Sequence, residues 1–126
     1  MILEIDTYAE KPIYAQLRDS IILGIASGRL AENEPLPSAR SLASDLGVNF
    51  HTVNKAYDML RGEGYIIMDR RTTAIVAPKK TAGAVSARLV DRLAFCAAEA
   101  ICSGVDEEAF AEACVESYRK SKEGRN

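Results

Sequence analysis

Residues 38–61 hold two short helical patterns separated by a three-residue break, and that spacing restricts the fold more than any other stretch of the chain. Ser38 is placed as an N-cap, its hydroxyl able to accept from an orphan amide one turn in. Ala39, Leu42, Ala43 and Leu46 then follow the i, i+3, i+4, i+7 rule of an amphipathic helix. Gly47 ends that helix, Val48 plugs the turn and Asn49 caps the next one. Val53, Ala56, Tyr57 and Leu60 make one apolar stripe, and Gly62 and Gly64 stop the helix. This is the spacing of a helix-turn-helix. An ordinary helical hairpin shares it, so the spacing alone leaves DNA binding open.

The flanks narrow the choice. Residues 2–5, Ile-Leu-Glu-Ile, read as a short strand. Pro12 suits the first position of a helix, where its missing N–H costs nothing. Ile13, Leu17, Ile21 and Ile25, with Tyr14 beside them, repeat at helical spacing up to Gly28, the strongest amphipathic pattern in the chain. Residues 29–37, with Pro35 and Pro37, read as a loop. After Gly64, the runs Tyr65–Met68 and Ala74–Ala77 enclose a polar, basic tip and read as a β-hairpin. A hairpin directly behind the third helix is a wing, and its tip is placed to touch a phosphate backbone. Pro78-Lys79-Lys80 is a basic joint. Beyond it, Val85, Leu89, Leu93, Cys96, Ala100 and Ile101 form one helical stripe. Past a break at Ser103-Gly104-Val105, Asp106 caps a last helix whose inner face is Phe110, Ala113, Cys114, Ser117 and Tyr118.

Composition excludes several classes. The chain has 126 residues, 48% of them apolar and 27% charged, which is one folded domain or a small domain with an appendage. No apolar run is long enough for a membrane helix, and the acidic N-terminus does not resemble a secretory signal, so a cytoplasmic location is expected. The net charge of −2 conceals an uneven distribution. Residues 1–35 carry −3, residues 36–80 carry +3 and residues 81–126 carry −2. A positive middle between negative ends hints at a polyanion partner. Cys96, Cys102 and Cys114 form no CxxC pair, and His51 is the only histidine, so no metal site is expected. The cysteines read as small apolar residues on helices or, alternatively, as thiol sensors.

The third helix offers suitable chemistry. With Val53 defining the buried direction, His51, Lys55 and Asp58 point nearly opposite, with Asn54 and Thr52 on the flanks. The first turn of a recognition helix reaches base edges. Here it presents Asn49, Phe50, His51 and Asn54. Asparagine can bind adenine bidentately, and an apolar ring can meet a thymine methyl. Phe50 also lies close enough to the buried stripe to belong partly to the core. His51 reads as a DNA contact or a solvated side chain, and Lys55 as a phosphate contact or a solvated lysine. Asp58 would repel phosphate and should sit away from the backbone. Arg40, in the first turn of the second helix, can reach a phosphate or guanine O6/N7.

The stretches PIYAQLRDSI, GRL and LPSARSLASDLGVNFHTVNKAYDMLRGEGYI resemble the winged helix-turn-helix domain of GntR-family bacterial transcription regulators. The likeness covers residues 2–77. The remainder of the chain is too short for the large effector domains of most subfamilies, and a two-helix tail resembles the YtrA-type subfamily. The resemblance implies a mainly α fold with a small β-wing: a winged helix-turn-helix DNA-binding domain over residues 1–78, then a two-helix C-terminal extension over 79–126 that serves dimerisation. It implies DNA-binding roles for Ser38, Arg40, Asn49, Phe50, His51, Thr52, Asn54, Lys55, Arg70, Arg71 and Thr72. Two departures stand out. Family wings usually carry glycines near the tip in a pattern like RGxGT, where this chain has RRTTA; Arg71 could substitute by inserting its side chain into the minor groove. Some relatives also have an arginine where Phe50 stands.

The expectation is a dimeric repressor that binds double-stranded palindromic operator DNA. Two-fold symmetry would set its half-sites about 34 Å apart. The homodimer interface is expected at Leu89, Leu93, Cys96, Ala100, Phe110 and Cys114. A small-molecule effector, if the chain has one, would bind at the tail, at the joint near Lys79 and Lys80, or between subunits. No cofactor, metal or membrane partner is expected. An enzyme is disfavoured, because the chain has no nucleophile–base arrangement and no phosphate-cradling glycine loop. Two rival readings stay open: a winged helix that binds only proteins, and a cysteine-based redox sensor on the same regulator.

Overall fold

A computed structural model describes residues 3–70 and 73–124. The chain divides into two compact units, Met1–Lys79 and Lys80–Asn126. The first contains α1 (Ile13–Ala26), α2 (Ala39–Leu46), α3 (Phe50–Gly62), β1 (Ile66–Asp69) and β2 (Thr73–Val76). The second contains α4 (Ala87–Cys102) and α5 (Glu107–Glu123). The fold is mainly α with a small antiparallel wing, as the hydropathy pattern requires.

The core of the first unit is built by the stripes read from the sequence. Leu17 and Ile21 of α1, Leu42 and Ala43 of α2, and Val53, Ala56, Tyr57 and Leu60 of α3 are all buried. Ile66 and Val76 close the cluster from the wing, facing each other across the β1–β2 register. Side-chain caps start the two central helices. The Ser38 hydroxyl accepts from the Ser41 amide at 3.1 Å, and Asn49 Oδ1 accepts from the His51 amide at 2.8 Å. Gly47 joins them with φ +67° and ψ +34°, left-handed backbone that a side chain disfavours, and its amide bonds back to the Ala43 and Ser44 carbonyls.

Three local expectations are corrected, and a fourth, the loop at 29–37, is sharpened. Residues 3–5 form no strand; Leu3 and Ile5 instead rest half-buried against the core while Glu4 faces solvent. Pro12 stands one position earlier than expected, as the N-cap, and its carbonyl accepts from Ala15 and Gln16 at 3.1 Å each. Helix α1 does not have the sharpest amphipathic division. Ile22 and Leu23 add to the first stripe, so α1 is apolar around most of its circumference, and α2 and α4 are more sharply divided. The loop at 29–37 is more ordered than its prolines suggest. The Asn33 and Leu36 amides donate to Val76 and Ala74 at 2.8 Å, the Val76 amide donates to Glu34, and Pro35 pairs with Ile75. The loop thus covers the edge of β2, and it buries Leu30 and Leu36. Gly24 admits Leu30, whose Cδ1 would lie only 2.9 Å from a Cβ at that position.

An ion pair ties α1 to the end of α3. Arg18 is 8% exposed. Its Nε donates to Glu63 Oε1 at 2.7 Å, and a second guanidinium nitrogen donates to Oε2. The hydrogen bonds to Glu63, then the nearby carboxylate charges, hold the guanidinium protonated well above its already high ordinary range, against the effect of burial. The fork anchors the C-terminus of α3 and hence its direction. Glu63→Gln keeps the shape but not the charge, and should lower unfolding free energy by about 1–2 kcal/mol. An unchanged denaturant midpoint would contradict this.

The second unit has no buried residue in either helix among those described. Ser86 caps α4 by accepting from Leu89, and Asp106 caps α5 by accepting from Ala109. Glu107 and Glu108 occupy the first turn of α5, and Lys120 and Lys122 its last, the arrangement the helix dipole favours.

Candidate nucleic-acid interface

The candidate residues come from three elements of the first unit. The capped start of α2 presents Arg40, the first turns of α3 present Asn49, His51 and Asn54, and the wing tip lies beyond them in the chain. Arg40, Asn49, His51, Asn54 and Lys55 are all exposed, while Thr52 is half-buried. A buried stripe on α3 at Val53, Ala56, Tyr57 and Leu60 forces the opposite face outward, which is why sequence periodicity could locate these residues.

The side chains are not independent. The Arg40 guanidinium lies over the Phe50 ring, 4.5 Å from its centre. Phe50 is half-buried and packs against the core, so it is in part the core residue that its position suggested. The Lys55 ammonium lies over the Tyr14 ring at 3.9 Å. That ties a cation of α3 to α1. Tyr14 was legible only as a helix residue, because nothing in linear spacing brings residue 14 to residue 55. Ser38 and Asn49 spend their side-chain oxygens on caps. Asn49 keeps its amide nitrogen for another partner.

A cleft of about 270 Å³ runs between α3 and the wing, lined in part by Ser38, Asn54, Asp58, Met68 and Thr73. Asp58 is one of the residues that line this cleft. It pairs there with Arg61, which offsets its charge. Arg70 is exposed at the wing tip with φ +51°, left-handed backbone that a glycine would accept more readily. Arg71 and Thr72 lie outside the described residues. The Tyr57 hydroxyl donates to the Pro37 carbonyl at 2.7 Å, pinning the loop before α2 onto α3.

Burial pushes the Tyr57 phenol up to about 12. A folded-state value above the unfolded one, near 10, means that the associated stability is complete below pH 10. It is lost as pH rises towards 12. In Tyr57→Phe the fall in unfolding free energy across this window should be shallower. A profile as steep as that of the unaltered chain would contradict the assignment.

Residues 10–76 match the family model described as bacterial regulatory proteins, gntR family, which is more than half of the chain. This chain belongs to the GntR family. A pyridoxine biosynthesis regulator of Corynebacterium glutamicum, PdxR, is 42% identical over 66 residues, 52% of this chain and 15% of PdxR. The transcriptional regulator Rv1152 of Mycobacterium tuberculosis is 39% identical over 64 residues, 51% of this chain and 53% of that one. The chain thus spans about half the length of Rv1152 and far less of PdxR. The transcriptional repressor YtrA of Bacillus subtilis is 32% identical over 88 residues, 63% of this chain and 68% of YtrA.

Among solved structures, a transcriptional antiterminator from Listeria monocytogenes covers all of this GntR-family chain and 96% of its own, at 27% identity and TM-score 0.83. YtrA from Sulfolobus acidocaldarius is 41% identical over 79% of this chain and 99% of its own, with TM-score 0.65. Together with the repressor above, it supports the YtrA-type assignment. The DNA-binding domain of AraR, solved with operator ORX1, matches 61% of this chain and 99% of its own at 26% identity and TM-score 0.54. The fold and relatives of this GntR-family member are those of transcription regulators and not of enzymes. No helix among the described residues is long and apolar enough to cross a membrane.

Proposed function

We propose that this GntR-family chain is a dimeric, cytoplasmic repressor that occupies a palindromic double-stranded operator. The supporting observation is the exposed start of α3. Asn49, His51 and Asn54 stand free of the core there, beside Arg40 of α2. In this reading Arg40 and Asn54 read base edges, Asn49 and His51 flank them, and Thr52, Lys55 and Ser38 hold the phosphate backbone. Arg70, Arg71 and Thr72 carry the wing to the adjoining backbone.

Dimerisation is proposed for the second unit. Leu89 and Leu93 are 47% and 43% exposed in the single chain, Cys96 is exposed, and Ala100, Phe110 and Cys114 are half-buried. An apolar stripe that two helices leave open to water favours a second copy, which would cover it by symmetry. Occupancy alone blocks a promoter, so repression needs no further part. Release by a small-molecule effector would act through a change in the spacing of the two heads.

A nuclease footprint on DNA upstream of the chain's own gene tests the reading. Two protected half-sites should appear about one helical turn apart. Protection of a single site, or uniform protection without symmetry, would contradict a two-fold reader.

A further inference from the structure

Phe50 opens α3, and its ring has three kinds of neighbour. Part of it packs against the core. The Arg40 guanidinium carbon lies 4.5 Å from its centre. The His51 ring meets it near edge-on, with centroids 5.4 Å apart and planes at 64°. Arg40 belongs to α2 and Phe50 to α3, so the contact spans the Gly47 turn. Among the described residues no carboxylate pairs with Arg40.

An exposed arginine samples many rotamers, and ordering it on a ligand costs side-chain entropy. A cation held over a ring is ordered beforehand. The ring offers no lone pairs, so the guanidinium keeps its N–H donors for another partner. The ring itself cannot wander, because the core holds it. A bidentate fork on guanine tolerates little misplacement, so whatever fixes the guanidinium also fixes how sharply it discriminates among bases.

We propose that Phe50 is a positioning residue for Arg40: its core-anchored ring holds the guanidinium at the groove-facing side of the head, so base discrimination by Arg40 depends on an aromatic side chain at position 50. The proposal rests on the DNA-binding reading above. It gives Phe50 a role that requires no contact between the ring and a base.

The test is a double-mutant cycle in the full chain. The probe is a duplex enriched by the unaltered protein from a random-sequence pool, titrated by fluorescence anisotropy. Phe50→Leu should weaken binding about two- to fivefold and flatten the preference at the base pair that Arg40→Ala desensitises. In the Arg40→Ala background Phe50→Leu should have little further effect. Phe50→Tyr, which keeps a ring, should restore both affinity and preference. Equal losses in both backgrounds, or failure of tyrosine to rescue, would overturn the proposal. A second measurement needs no variant that might misfold. In the NMR spectrum of the free, unaltered protein the Arg40 Nε proton should show an upfield ring-current shift, and an unshifted signal would overturn the stack. Enrichment of no duplex at all would instead defeat the functional reading, while the NMR measurement would still decide the stack.

Discussion

Deletion of residues 81–126 should leave a folded monomer that binds a palindromic duplex about 10²–10⁴-fold more weakly than the full chain. Folding should survive because every buried hydrophobic residue among those described lies between Leu17 and Val76. The ion pair of Arg18 with Glu63 and the cover that residues 33–36 give to β2 are also retained. Affinity should fall because two heads joined by a dimer bind the second half-site at a high effective concentration, and a lone head does not. Sedimentation of the truncated and full chains would measure the first effect, and titration of the same duplex the second. A truncated chain that remains dimeric would remove the role given to Leu89, Leu93 and Phe110.

Arg40→Ala should weaken operator binding by about 1–3 kcal/mol per reading head, roughly a 5- to 150-fold loss. The loss should concentrate at one base pair of each half-site, because a guanidinium fork distinguishes guanine from other bases. Arg40→Lys tests the same point with the charge kept. A lysine is a point charge without a fork, so it should preserve general attraction to DNA but not that discrimination. Stability should change little, since Arg40 is exposed and its contact with the half-buried Phe50 ring is worth only about 0.5–1 kcal/mol at such a site. A titration that shows no measurable loss for Arg40→Ala would mean that another residue of the head does the reading.

The parts of the fold that depend on local rules were legible in the sequence. Ser38 and Asn49 cap the helices that their positions announced, and Asp106 does the same for the last helix. The stripe at Val53, Ala56, Tyr57 and Leu60 is buried, so His51, Asn54 and Lys55 had to point outward. Contacts between residues distant in sequence were not legible. Arg18 interrupts the apolar surface of α1 near Tyr14 and Ile25, and that interruption was the only sign of a buried ion pair. Its partner, Glu63, is 45 positions away. The pairing of Pro35 with Ile75 left no sign, because proline ordinarily argues against a strand neighbour. Residues 2–5 read as a short apolar strand, but Leu3 and Ile5 bury themselves by packing on the core without a sheet partner.

The salt dependence of binding to an enriched duplex tests the DNA-binding assignment most directly. Lys55, Arg70 and Arg71 of each protomer are assigned to phosphates, which makes six contacts in a dimer. The logarithm of the binding constant should therefore fall linearly with the logarithm of salt concentration, with a slope of about −5. A constant that stays flat as salt rises, or a chain that retains no duplex even at low salt, would contradict it.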